Sequence, residues 1–168
     1  MPKHKLPRYS WNIIFFAIAL VLVAADQYTK WWIQNNLEPG QSLPETGFFR
    51  LTYAQNTGAA FSIFYGYNGI LIIVSCIGVI LLLTYYFYIY RRMPYLDTVW
   101  NRIALAIILG GTVGNLIDRI TLGYVRDFID VGPWAIFNIA DSCTVVGVIL
   151  FAFSLLFLTR NIPSSKQP

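Results

Sequence analysis

The sequence predicts an all-α membrane protein that crosses the bilayer four times, and three observations carry that expectation. The chain of 168 residues is 57% hydrophobic and 12% charged, whereas soluble domains carry about 25% charged residues. Its mean hydropathy is +0.57. The few charges cluster between long uncharged runs, and four runs reach the roughly 20 residues needed to cross a hydrocarbon core at about 1.5 Å per residue.

The first span covers about 11–33 and carries no charge from Trp11 until Asp26. A basic start before an apolar run ending Val23-Ala24-Ala25 also fits a cleaved leader. However, the run exceeds an h-region of about 7–15 residues, so it reads as an anchor. The connection at about 34–67 is too long for a simple turn, and long ordered connections usually carry function. Within it, Phe48-Phe49-Arg50-Leu51-Thr52-Tyr53 mixes aromatic and β-branched residues after a Pro/Gly-containing stretch, which predicts a short strand or hairpin at the membrane surface. Asn56-Thr57-Gly58 then predicts a turn.

The second span covers about 69–90 and the third about 100–119. The connection at about 120–136 breaks at Leu122-Gly123 and continues Val125-Arg126-Asp127-Phe128-Ile129-Asp130-Val131. Read as a strand, this puts Asp127 on an apolar face with Val125, Ile129 and Val131, and Asp130 on the face of Arg126. The fourth span covers about 137–159. Backbone groups in lipid must be satisfied within their own segment, so all four spans are helices of one integral-membrane domain, 1–168.

Four crossings place Lys3, Lys5, Arg8, Arg91, Arg92, Arg102, Arg160 and Lys166 on one side. Arg50, Arg119 and Arg126 fall on the other, with Lys30 near that end of the first helix. The positive-inside rule then puts both termini in the cytoplasm. The net charge of +4 is a topology signal; its basic residues are scattered at helix ends and form no nucleic-acid footprint. Trp11, Trp31, Trp32, Tyr90, Trp100 and Trp134 fit interfacial belts. Cys76 and Cys143 show no pairing pattern and read as small apolar residues.

Ionisable groups at membrane depth cost about 2.5–3.5 kcal/mol each at a helix centre and tend to be functional. Asp26, Lys30, Asp118, Arg119, Asp127 and Asp141 all fall near the outer leaflet. Asp26 and Lys30 are spaced i, i+4 and can pair on one helix face. Ala106, Gly110, Gly114 and Asp118 recur every four residues, a small-residue stripe for close helix packing. The adjacent stripe Gly111, Asn115, Arg119 offers an amide and a guanidinium; Arg119 either neutralises Asp118 or holds a carbonyl or carboxylate elsewhere. Asp141 lies just inside the fourth span, slightly late for an N-cap, and reads as a functional carboxylate.

Much chemistry is excluded. The single histidine, His4, sits in the tail, so a Ser-His-Asp or Cys-His arrangement has no base. One His and two separated Cys make no ordinary zinc site. Phosphate-binding glycine motifs are lacking. Paired aspartates survive: two close carboxylates cannot both ionise easily, so one holds a proton while the other activates water against a peptide carbonyl. The residues offer Asp141 with Asp118, Asp127 or Asp130, and the apolar face around Asp127 favours that residue. The competing readings are a small proton-coupled transporter, with Asp26, Asp118 and Asp141 as a relay, and a non-catalytic assembly factor using the glycine stripe.

Four ordered blocks resemble the lipoprotein signal peptidase (signal peptidase II) family. They are Asp26-Gln27-Tyr28-Thr29-Lys30, Asn56-Thr57-Gly58-Ala59-Ala60-Phe61-Ser62, Gly114-Asn115-Leu116-Ile117-Asp118-Arg119 with Asp127-Phe128, and Phe137-Asn138-Ile139-Ala140-Asp141-Ser142. The resemblance implies an aspartic endopeptidase of the bacterial inner membrane. It would remove signal peptides from prolipoproteins by cleaving before a diacylglyceryl-modified cysteine. Asp127 and Asp141 would be catalytic, Asn56, Asn115, Arg119 and Asn138 would bind substrate, and Asp26, Lys30, Gly58 and Gly114 would support the site. It also implies four transmembrane helices with a small extracytoplasmic β-cradle and a short helix. No metal or cofactor is expected; membrane lipids and the inhibitor globomycin are expected ligands.

Overall fold

Apolar runs of this length have one way to satisfy their backbone in lipid, and four helices form accordingly. The computed structural model describes residues 8–58, 66–89, 92–93 and 96–160. Lys3, Lys5, Tyr90, Arg91, Lys166 and the motif segment 59–62 lie outside them. The helices are α1 (Arg8–Asn36), α2 (Asn68–Thr84, continued by a π-helical turn Tyr85–Ile89), α3 (Val99–Leu122) and α4 (Ile139–Arg160). Each holds a stretch long and apolar enough to cross a membrane. The chain is a multi-pass membrane protein.

Local chemistry sets the helix ends. The Thr98 hydroxyl accepts from the Asn101 backbone N–H at 3.2 Å and starts α3. Gly123, in the left-handed region at φ 82°, stops it. α1 runs to Asn36, and the amides of Asn35 and Asn36 donate to the carbonyls of Trp31 and Trp32, both at 2.7 Å.

The middle of the bundle is α3, with ten buried residues; α2 buries only Leu71 along Asn68–Thr84. The large exposed side chains of α2, such as Ile73, Val74, Ile80 and Leu81, therefore face lipid. Close approach of α3 to its neighbours depends on glycine. A Cβ at Gly110 would lie 3.0 Å from Leu22 Cβ of α1, and one at Gly114 would lie 2.7 Å from Asp26 Oδ2. At Gly111 it would collide with the carbonyl oxygen of Ala140 and lie 2.6 Å from Thr144 Oγ1 of α4. Gly111→Ala should therefore destabilise the protein by about 1–3 kcal/mol, the usual cost of overpacking. A lowered melting temperature in detergent checks this; an unchanged one would show that α4 can back away freely.

At the end of the bundle remote from the sheet, Phe15, Ala19, Tyr86, Leu105, Ala106 and Leu109 form an apolar core. Tyr86 stacks on Phe15 with centroids 3.9 Å apart and donates to Asn12 Oδ1 at 2.9 Å. Arg102 donates to Tyr86 Oη at 3.1 Å and holds Asp97 with two N–H groups. Tyr85 packs edge-on against Phe151 of α4 at 5.6 Å. The ends of all four helices remote from the sheet are thereby fastened. Towards the other end α2 packs along α3 and makes no extended contact with α4.

Three short strands cover that other end: β1 (Ser42–Leu43), β2 (Phe49–Asn56) and β3 (Val125–Val131), antiparallel in the order β1-β2-β3. Phe49 lies opposite Val131 and Ala54 opposite Asp127, with a register irregularity between Leu51 and Ala54. Arg50 faces Asp130 directly and binds its carboxylate at 2.7 Å. Ile33 of α1 and Leu37, just past its end, pack with Tyr53 and Phe128 and fasten the sheet to the helix end. No short helix lies among the described residues between the spans on this side.

Candidate active site

Strand alternation and one helix start bring two carboxylates together. Alternation along β3 turns Asp127 inward, where only 2% of it is exposed. Asp141 is the third residue of α4 and half of a reciprocal cap. Asn138 Oδ1 accepts from the Asp141 backbone N–H at 2.9 Å, while Asp141 Oδ2 accepts from the Asn138 backbone N–H at 3.2 Å. Asn138 Nδ2 then reaches Asp127 Oδ1 at 2.7 Å. One asparagine thus ties the two acids together.

Two further amides complete the shell. Asn56, at the end of β2, donates to Asp127 Oδ2 at 2.9 Å while its Oδ1 accepts from the Gly58 N–H at 2.9 Å. Asn115 donates to Asp141 Oδ1 at 2.7 Å. Arg119 Nη2 donates to the Gly58 carbonyl at 3.1 Å, and its remaining N–H groups have no described partner. Asn56, Asn115, Arg119, Asp127 and Asp141 all line a cleft of about 910 Å³. The cleft continues along Ser75 of α2, Thr112 of α3 and Thr144, Val145 and Val146 of α4, so it opens where α2 and α4 stand apart.

Behind the cleft lies a buried charge cluster. Lys30 Nζ meets Asp26 at 2.7 Å and Asp118 at 3.5 Å, and all three side chains are at most 1% exposed. Arg126 closes on Asp118 at 2.7 Å and donates to Gln34 and Gln27 at 2.8 and 3.0 Å. Two carboxylates thus face two cations. Asp26 also accepts from the Ala140 N–H at 2.9 Å, which seats the first turn of α4 against α1.

Of the two readings open for Arg119, the structure selects the contact with a carbonyl. Asp118 is neutralised by Arg126 and Lys30 rather than by Arg119, because adjacent residues on a helix point about 100° apart. Arg119 turns away to the cleft and a carbonyl. Asp130 shares a face with Arg126 but is held by Arg50 and by the Thr52 hydroxyl at 2.8 Å. Asn138 is fully buried and its amide is consumed within the protein, so it positions the acids and has no surface for substrate. Gln27, Gln34 and Arg126 were not singled out as site residues. A signal existed: Gln27, Lys30 and Gln34 follow helical spacing and extend the polar stripe of the first span.

Burial, and then the charge of Asp141, push the Asp127 carboxyl up from 3.8 to about 7. A carboxyl raised on folding gives stability that is complete below its unfolded value and is lost as pH rises through the folded one. Stability should accordingly fall between pH 4 and 7, by roughly 3–4 kcal/mol if nothing relaxes. Denaturation in detergent across that range checks the sign, and Asp127→Asn should flatten the slope. A slope rising with pH in the wild type and in Asp127→Asn alike would show that another acid dominates.

Comparison with known proteins adds an independent line. The family model described as Signal peptidase (SPase) II matches residues 18–157. The lipoprotein signal peptidase of Dehalococcoides mccartyi strain 195 is 52% identical over 150 residues, covering 89% of this chain and 92% of that protein. That of Moorella thermoacetica is 42% identical over 154 residues, covering 91% and 96%. A solved bacterial membrane enzyme superposes with a TM-score of 0.80 at 32% identity, covering 92% of this chain and 94% of the other.

Proposed function

The chain belongs to the signal peptidase II family, and we propose on that footing that it is an aspartic endopeptidase in which Asp127 and Asp141 share one proton. It removes signal peptides from prolipoproteins at a bacterial membrane. One observation carries the aspartic reading: two acids from separate segments line one cleft, and both carboxylates accept from the buried Asn138, Asp127 from its side-chain amide and Asp141 from its backbone N–H.

Charge balance supports the shared proton. The four buried charges behind the cleft cancel, and Arg119 then matches a dyad bearing one net charge. Burial and the neighbouring Asp141 raise the Asp127 carboxyl, which favours a proton held within the pair at neutral pH. Asp141 takes a proton from the attacking water while Asp127 delivers its own to the carbonyl oxygen; as the resulting diol collapses, Asp127 recovers that proton and Asp141 passes the water's proton to the leaving amine. The N–H groups of Arg119 that have no partner among the described residues, and the second N–H of Asn115, suit substrate carbonyls.

A substrate with an apolar signal helix and acyl chains enters sideways between α2 and α4, its cleavage point beside the sheet. The charge asymmetry puts that sheet outside and both termini in the cytoplasm. Cleavage falls before the diacylglyceryl-modified cysteine, and globomycin competes for the same cleft. The transporter reading lacks a path, because Phe15, Ala19, Leu105 and Leu109 separate the Asp26–Asp118 cluster from the Arg102–Asp97 pair.

Gel-shift processing of a purified, diacylglyceryl-modified prolipoprotein tests the proposal. The expected result is a shift to the mature product with this protein alone, abolished by globomycin. Processing that continues at saturating globomycin, or that also occurs without the diacylglyceryl group, would count against it.

A further inference from the structure

The buried charge cluster ends in an amide rather than a carboxylate. Lys30 Nζ donates to Asn115 Oδ1 at 2.9 Å, and Asn138 Nδ2 donates to the same oxygen at 3.0 Å. Both are pure donors, so the oxygen of Asn115 must face them. Its Nδ2 is then forced towards Asp141 Oδ1, 2.7 Å away. The flipped amide would set NH₂ against an ammonium, and C=O against a carboxylate in a site with little water.

Resting on the protease reading above, we propose that Lys30 is a positioning residue for Asp141, acting through the orientation it imposes on Asn115. Lys30 is 0% exposed and does not line the cleft, so it cannot touch substrate. Its reach to the chemistry is two hydrogen bonds long, Lys30 to Asn115 to Asp141. The ion pair with Asp26 at 2.7 Å holds the ammonium beside that oxygen. Removing the ammonium leaves Asn138 as the sole donor on that oxygen, and Asn115 becomes free to turn. Asp141 then meets a misaligned partner, while Asn56, Arg119 and the rest of the cleft wall stay in place.

The test is a cycle of substitutions, with kcat and KM measured on a diacylglyceryl-modified prolipoprotein. Lys30→Met alone leaves Asp26 buried without its cation, since only Asp118 keeps Arg126, and risks unfolding. The cycle is therefore built on Asp26→Asn, which removes one charge of each sign once Lys30→Met is added. Asn at 26 keeps an oxygen for the Ala140 N–H. Within that background, Lys30→Met is expected to lower kcat ~10–100-fold, with KM changed less than ~3-fold. When Asn115→Ala is also present, the same Lys30→Met change should cost less than ~3-fold in kcat, because the hydrogen-bonded route is gone and only the weak long-range charge effect remains. An equal loss with and without Asn115 would overturn the proposal and make Lys30 a general support of the fold. An unchanged kcat after Lys30→Met would overturn it as well. If the wild type leaves the substrate uncut, the protease reading itself fails; if the wild type cuts and the losses are equal, only the positioning role fails.

Discussion

Asp141→Asn and Asp127→Asn should each slow prolipoprotein processing by roughly 10²–10⁴-fold, the usual worth of a positioned acid or base. Both changes are nearly isosteric, and the hydrogen bonds show why the fold should tolerate them. At 141, an amide oxygen can still accept from the Asn138 N–H and keep the helix start. At 127, Asn56 and Asn138 lose one acceptor between them, but a buried carboxyl strained towards neutrality is removed. Asp127→Asn should therefore melt no lower than the wild type above pH 7. Because the acids work as one unit, the double variant should be about as slow as the worse single one. Gel-shift processing with parallel thermal melts reads all of this, and turnover within a few-fold of wild type in either single variant would end the dyad assignment.

Arg126→Met should be the most damaging structural change outside the dyad, at about 3–5 kcal/mol. Arg126 closes on Asp118 with its Nε and Nη2, at 3.1 and 2.7 Å, and Asp118 also takes the Arg126 backbone N–H at 2.9 Å. Its guanidinium further ties Gln27 and Gln34 of α1 to β3. Met at 126 leaves Asp118 buried beside Asp26 with Lys30 as the one remaining cation. Adding Asp118→Asn should recover a large part of the loss, since the penalty comes from the uncompensated charge. Denaturation of the single and double variants measures this. A double variant no more stable than Arg126→Met would show that the links to Gln27 and Gln34, not the charge, hold the sheet on α1.

How far the sequence discloses this site depends on which physical signal each residue carries. The four spans were legible because uncharged runs of sufficient length have one solution in lipid, and the strand around Asp127 because alternation fixes its faces. Asp141 stood out as an acid beside an apolar run. The partner of Asp118 was not legible, since a neighbour in sequence is not a neighbour in direction on a helix. Arg126 reaches Asp118 only after the chain turns at Gly123. The burial of Asn138 was hidden for a related reason: a polar residue at a helix start looks exposed until a strand is laid over it. Gln27 and Gln34 lay on a readable stripe, but an uncharged amide carries no penalty large enough to draw notice among acids and lysines.

The paired cap at the start of α4 bears on which acid that position can hold. Glutamate is as welcome as aspartate in the third place of a helix. A chain answerable to folding alone would have no reason to prefer the shorter one. The longer acid would carry its oxygens about 1.5 Å further out, and a displacement of even ~1 Å can cost 10²-fold in rate. On the proposed dyad, the identity of residue 141 is dictated by the reaction and not by the scaffold, although the same oxygens serve both.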